Sequence, residues 1–395
     1  MGSIHQDRKL FTPLQLGTMS LSHRIVMSPL TRIRCPGGIP SPLVTEYYAQ
    51  RATLGGLIIS EGMHPSFMAG NLLNVPGMFS PEHVRAWKKV TDAVHARGGF
   101  MVCQLWHVGR FATSQTLAGR QPLSASPTNS GVGNRLTSKG MVPSETAKEM
   151  ALEEISVTRE DFVHAARCAV EAGFDGVEIA AGNGYLFDQF LNDRTNLRLD
   201  HYGGNDENRS RFVLETIDAV ITAIGASKTA VRFSPWGTVM MPLPSDPIAT
   251  WTHVLSEVEK RGLAYVCLTQ PNTDLFMSSE TKWADLNKAS EEGSINAKKE
   301  DIHLRHFWEV LEKTPKLASG EYDGTNCFEE AEKGELDAVT FARWFISNPD
   351  LVEKVRLGLK LTAWDRGTWY GRGAEGYTDY PVGEVVEGSS HIGGL

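Results

Sequence analysis

Five cysteines in 395 residues, an odd number without a Cys-x-x-Cys pair, give no support to a disulfide framework or a zinc site. Cys35, Cys103, Cys168, Cys267 and Cys327 mostly sit in apolar runs, so they read as reduced, packed thiols of a cytoplasmic protein. No apolar stretch approaches the roughly 18 residues of a membrane helix. The opening MGSIHQDRKL lacks the apolar core of a signal peptide, and Gln6 stands where a myristoylated Gly2 would need Ser or Thr downstream. Basic charge is also short. Against 47 acidic residues stand 39 Lys and Arg, a net charge of −8, which argues against nucleic acid or an anionic membrane as partner. Lys88-Lys89 and Lys298-Lys299 are isolated pairs on solvated helix faces. No Gly-x-Ser-x-Gly elbow is present.

What is present is an ordinary globular composition, 41% hydrophobic and 22% charged, in a chain long enough for a substantial core. One pattern recurs: an amphipathic helix, a glycine, then a short apolar strand. Gly98 precedes FMVCQLW, Gly173 precedes FDGVEI, Gly262 precedes LAYVCLT and Gly334 precedes ELDAVTF. A glycine there suits the left-handed position that ends a helix. Ser80-Pro81 reads as a helix start, with Val84, Trp87, Val90 and Val94 on one face, and Thr158 with Asp161 resembles a capping box. The strand candidates are 25–30, 56–61, 100–106, 176–180, 230–234, 264–269, 316–320 and 338–341. Strands alternating with helices in this number predict one closed (β/α)₈ TIM barrel over residues 1–395. Two stretches break the rhythm. Residues 107–157 read as a lid-like insertion after the third strand, and 272–300 as a second polar insertion. A tail is expected from 382 to 395.

The stretch FDGVEIAAGNGYLFDQF, residues 174–190, holds the densest chemistry. A buried strand stops at Gly182-Asn183-Gly184 and hands on to Tyr185, which places an amide and a phenol at one rim. It is either a catalytic rim or an ordinary strand-to-loop corner. The third glycine of a dinucleotide fingerprint is missing. In a barrel the strand ends converge. Here they bring Pro29, Leu30, Thr31, Glu61, Gly62, Gln104, Leu105, Trp106, His107, Asn183, Tyr185, Arg232, Gln270, Gly320 and Arg343 together. Carboxylates are too few for a metal set. Amide, hydroxyl, guanidinium and aromatic groups suit a planar heteroaromatic cofactor with an anionic tail.

The stretches LFTPLQLGTMSLSHRIVMSPLTRIR, QLWHVGR, GNGYLFDQFLND, FARWFISNPDL and GAEGYTDYP resemble the old yellow enzyme family, FMN-dependent ene-reductases on a (β/α)₈ barrel, and most closely its fungal branch, found in secondary-metabolite pathways. The similarity runs from about Leu10 to Pro381. It implies FMN at the barrel mouth, with Pro29, Leu30, Thr31 and Gly62 along the ring and Gln104 and Arg232 at the pyrimidine edge. Gly320 and Arg343 would hold the phosphate. It implies NADPH as hydride donor, Tyr185 as proton donor to the α-carbon of an activated alkene, and Asn183 on the substrate carbonyl. Thr31 would tune the flavin, and Trp106, Trp369 and Tyr370 would shape the substrate pocket. A small-molecule substrate and a monomer or homodimer are expected.

Two positions depart from the family pattern. Ala342 replaces the glycine common before Arg343. Ala180 stands where the family places a histidine that grips the carbonyl together with Asn183. Another group substitutes, or a larger substrate uses the space, or the flavin serves an isomerase, a dehydrogenase or an oxidative cyclase instead of an ene-reductase. A flavin-binding barrel with little turnover is a further alternative, opposed by Tyr185, Asn183 and Thr31.

Overall fold

The protein is described by a computed structural model covering residues 5, 7–70, 72–131, 134–137, 140–239, 241–274 and 277–383. The tail expected at 382–395 lies outside the described residues from 384 onward. The eight barrel strands are β1 (Ile25–Met27), β2 (Leu57–Ile59), β3 (Phe100–Leu105), β4 (Gly176–Ala180), β5 (Thr229–Phe233), β6 (Tyr265–Thr269), β7 (Lys316–Ser319) and β8 (Ala338–Phe341). All pair in parallel with their sequence neighbours, and β8 closes on β1 through Val339 opposite Ile25 and Phe341 opposite Met27. The chain is a (β/α)₈ TIM barrel. Such strands are covered on both faces, which is why they read as nearly continuous apolar runs.

Helices α1 (Pro42–Arg51), α2 (Pro81–His95), α3 (Leu152–Glu171), α5 (Asp206–Ile224) and α6 (Pro247–Glu259) belong to the outer ring. α2 starts as expected: Ser80 Oγ accepts from His83 N at 3.2 Å, Pro81 opens the first turn, and Val84, Trp87, Val90 and Val94 are buried. The four glycines that close a helix before a strand all have positive φ, from +61° at Gly262 to +88° at Gly173.

Several boundaries differ from the sequence reading. β1 stops before Ser28 and Pro29, whose ring carries no N–H for a ladder. β2 stops before Glu61, whose N–H donates to the Tyr48 hydroxyl instead of a neighbouring strand. α3 begins at Leu152, so Thr158 is buried inside the helix and does not cap it. The start is fixed by Glu154, whose Oε2 accepts from Ala151 N at 2.8 Å, and two glutamates in the first turn suit the helix dipole. The 272–300 stretch contains a regular helix, α7 (Ser279–Glu291), capped by Ser278 Oγ. Its apolar stripe is thin because it buries little, with Leu286 its one fully buried aliphatic side chain.

The other mouth of the barrel is closed by an N-terminal hairpin, Leu14–Leu16 with Met19–Leu21. Leu16, Met19 and Leu21 pack with Val26, Leu57, Val102, Ala230, Leu317 and Ala338 near the strand starts. Chemistry is thereby confined to the C-terminal mouth. The hairpin turns at Gly17, at φ +54°, where a Cβ would stand 1.9 Å from the Ser227 carbonyl oxygen. Gly17→Ala should cost about 1–3 kcal/mol from backbone strain alone, before the clash is relieved. The expected outcome is a lower urea midpoint with an unchanged slope; an unchanged midpoint would show that the hairpin does not seal the barrel.

Candidate active site

Strand register decides which side chains meet. Glu178 pairs with Gln104 on β3 and Ala230 on β5, and Ala180 pairs with Arg232. Because side chains alternate, Gln104, Glu178, Ala180 and Arg232 all face the interior. Glu178 is fully buried, and its Oε1 accepts from Gln104 Nε2 at 2.7 Å and from Arg232 Nε at 2.9 Å. Arg232 Nη1 reaches Ser28 Oγ at 3.4 Å, while Arg232 Nη2 and Glu178 Oε2 are buried with no hydrogen-bond partner among the described residues. The sequence reading found Gln104 and Arg232 and missed Glu178. Its signal was a lone acid inside an apolar strand, a residue almost never buried unless paired.

Beyond β4 the chain turns at Asn183, which has φ +57°. Ser234, just past β5, holds this turn. Its Oγ receives the Asn183 N–H at 3.2 Å and lies 2.9 Å from Asn183 Oδ1 and 3.3 Å from Thr269 Oγ1. With the hydroxyl hydrogen on Oδ1, the Asn183 amide is oriented with its NH₂ group turned away from Ser234. A Cβ at Gly182 would come within 2.5 Å of the same Oγ, so the close approach needs glycine. Gly184 N–H donates to Asp188 Oδ2 at 2.8 Å, and Gln189 Nε2 donates to the Gly184 carbonyl at 2.7 Å. Asp188 and Gln189 both lie on α4 (Leu186–Leu191), whose first residue follows Tyr185. Neither Ser234 nor Asp188 was singled out from sequence, because a serine after a strand and an acid on a short helix carry no pattern of their own.

Tyr185 stands edge-on to Trp106, with ring centroids 4.8 Å apart. The other face of Trp106 stacks on His64 at 5.5 Å. Burial drives the His64 and His107 imidazoles down to about 3, so both are neutral. Ala180 shares an apolar cluster with Trp106, Val75, Val108, Ala112 and Leu117. The last three come from the insertion after β3, which is tied to α4 through Ser124 Oγ on Gln189 Oε1 at 2.9 Å. That insertion is ordered in part as a hairpin, Asn134–Thr137 with Gly140–Pro143. A Cβ on Gly62 would meet the Trp106 ring at 2.8 Å.

The loop carrying Pro29, Leu30 and Thr31 leads into an arginine clamp. Arg32 Nε and Nη2 donate to the carbonyls of Trp369 and Gly376 at 3.0 and 2.7 Å. Arg34 reaches the carbonyls of Thr368, Trp369, Gly373 and Glu375, and Arg51 that of Tyr377. Glu61 lies beneath this loop, accepting from Arg32 N at 3.4 Å, and burial pushes its carboxyl up to about 7. The clamp fixes the segment with Trp369 and Tyr370. Trp369 lies between the Arg343 and Arg366 guanidiniums at 5.7 and 5.5 Å, and Tyr370 is exposed. Gly320 follows β7, where a Cβ would crowd Gln270 at 2.9 Å. Arg343 is held by Glu321 and the Asp274 carbonyl, both at 3.0 Å. Among the described residues no group of His, Cys, Asp or Glu could hold a metal ion, and no helix is long and apolar enough to cross a membrane.

Comparison with known proteins shows what the chain as a whole is similar to. Residues 9–362 match the model of the NADH:flavin oxidoreductase / NADH oxidase family. The chain is 38% identical to flavin oxidoreductase hxnT of Emericella nidulans, over 97% of this chain and 100% of that protein. It is 40% identical to 12-oxophytodienoate reductase 7 of Oryza sativa subsp. japonica, over 94% of each. Morphinone reductase superposes with a TM-score of 0.86 at 35% identity, over 98% of this chain and 100% of that one, and has also been solved with tetrahydroNAD.

Burial raises the Asp188 carboxyl to about 7, against an opposing pull from the Gly184 N–H. A carboxyl raised in the folded state keeps its proton while the unfolded chain loses one, so stability falls as pH rises from about 4 to about 7. Asp188→Asn keeps an acceptor for Gly184 and removes that dependence. Relative to wild type the variant should gain stability between about pH 4 and 7 and hold that gain above 7, read from urea midpoints. A pH-independent difference would show that Asp188 is ionised in the fold throughout.

Proposed function

Because the chain belongs to the old yellow enzyme family of FMN-dependent oxidoreductases, we propose that it uses NADPH to reduce the C=C bond of an α,β-unsaturated carbonyl compound. Its setting is a cytoplasmic pathway of fungal natural-product synthesis, with the chain as monomer or homodimer. The observation that carries this reading is the Asn183 amide, oriented by Ser234 at the rim beside Tyr185 and above the buried Arg232 layer. FMN, when bound, supplies a hydride acceptor and donor between the nicotinamide and the β-carbon of the alkene.

The residues fit that cofactor. Gln104 commits Nε2 to Glu178, which leaves its carbonyl oxygen for a ring N–H. Arg232 keeps a buried Nη2 donor without a partner among the described residues, suited to the edge where negative charge gathers on reduction. Pro29, Leu30, Thr31 and Gly62 would hold the ring, and Gly320 and Arg343 would take the phosphate. Arg343 must share its guanidinium with Glu321 or leave it. Asn183 Nδ2 donates to the substrate carbonyl. The Tyr185 hydroxyl delivers the proton. Trp106, Trp369 and Tyr370 bound the substrate.

Ala180 favours a second reading. A family site with two donors on the carbonyl has one here, and losing such a donor costs about 3–4 kcal/mol in other enzymes. An isomerase, dehydrogenase or oxidative cyclase would not need both.

Two experiments separate these readings. In stopped flow, Tyr185→Phe should leave flavin reduction by NADPH unchanged and slow reoxidation by an enone at least tenfold. Equal reoxidation rates would remove Tyr185 from the mechanism, and parallel runs with NADH test the choice of nicotinamide. Ala180→His should raise turnover of cyclohexenone and lower turnover of bulkier enones, at matched flavin content. No gain with the small enone would favour the second reading.

A further inference from the structure

We propose that Glu178 is a positioning residue that sets the reduction potential of the bound flavin, by fixing the Gln104 amide and offsetting the Arg232 charge. The inference rests on the FMN reading above. An arginine and a carboxylate left to themselves pair through two parallel hydrogen bonds. Here they do not. Arg232 gives Glu178 only its Nε, spends Nη1 on Ser28, and holds Nη2 back, buried and without a partner among the described residues. The same Glu178 oxygen takes the Gln104 amide, so one atom dictates the direction of both side chains. Glu178 has no solvent exposure and cannot reach the substrate side of the mouth, because it lies one inward-facing step below Ala180 on β4. Its role is exerted through the two residues it holds.

The charge argument has a definite sign. Two-electron reduction of a flavin, with one proton taken up at N5, leaves a net negative charge along its N1 and C2 carbonyl edge. Arg232 favours that charge, and the Glu178 carboxylate behind it opposes it in a region where water does not screen either. The pair is neutral as a unit, so the reduced cofactor meets less positive potential than Arg232 alone would supply. A lower potential makes the reduced flavin a stronger hydride donor toward an alkene.

The test uses the FMN-loaded protein and a redox-dye titration. Glu178→Gln keeps the size and removes the charge, and should shift the equilibrium toward reduced flavin at least tenfold, about 30 mV for a two-electron couple. Glu178→Asp keeps the charge but is too short to reach both partners. It should leave the potential near wild type and weaken FMN binding several-fold, read by fluorescence of released flavin. If Glu178→Gln does not fold, because Arg232 is left as a lone buried cation, Arg232→Gln is compared with Arg232→Gln/Glu178→Gln. The double variant should hold the higher potential. Bound FMN with the same potential with and without the Glu178 charge overturns the proposal, as does an Asp variant that shifts like Gln. A wild-type chain that takes up no FMN fails differently, and removes the cofactor reading itself.

Discussion

Closure of the barrel is the constraint on which the rest depends. Eight parallel strands can close only if each is covered on both faces, so every second side chain is committed to a water-free interior. At the hairpin end this layer is filled with Leu, Met, Val and Ala. Toward the other mouth the same geometry places Gln104, Glu178 and Arg232 where solvation is lost. Burying ions is tolerated only when they are paired and hydrogen-bonded, and here three residues from three adjacent strands meet on one oxygen. Register thus fixes chemistry as well as architecture. A one-residue slip of β4 would turn Glu178 outward and strand Arg232.

Much of this was legible in the sequence because the patterns are local. Apolar runs marked all eight strands, four of them after glycine-terminated helices, and each of those four glycines has the left-handed φ that explains its presence. The rim set followed from strand ends alone, since topology brings them together without any knowledge of packing. What was not legible depends on partners far apart in sequence. Ser234 matters because it reaches Asn183, 51 residues away, and Glu178 because it lies between Gln104 and Arg232. The early start of α3 and the helix at Ser279–Glu291 were missed for a different reason. Both lean on caps and first-turn charges more than on an apolar stripe.

Ala180 shows how a departure from a family pattern acquires meaning only in its surroundings. Its methyl lies in an apolar cluster to which the insertion after β3 contributes Ala112 and Leu117. The place of a polar, hydrogen-bonding ring is taken by a hydrocarbon wall that continues into Trp106. The orientation of Asn183 rests on Ser234 instead of on a neighbouring imidazole.

The arginine clamp bears on how the molecule is made. Arg32 reaches carbonyls 337 and 344 residues further along the chain, and Arg34 reaches one 341 residues away. Separations of this size mean that the contacts form only after the segment carrying Trp369, Glu375 and Gly376 has been made. Until residue 377 has emerged, the segment after β1 lacks the carbonyls that satisfy its guanidiniums, and Pro29, Leu30 and Thr31 lead into an unfinished structure. A ribosome-bound chain can form most of the strand–helix units and still lack a finished mouth. The segment from Thr368 to Gly376 works as a clasp on the loop after β1.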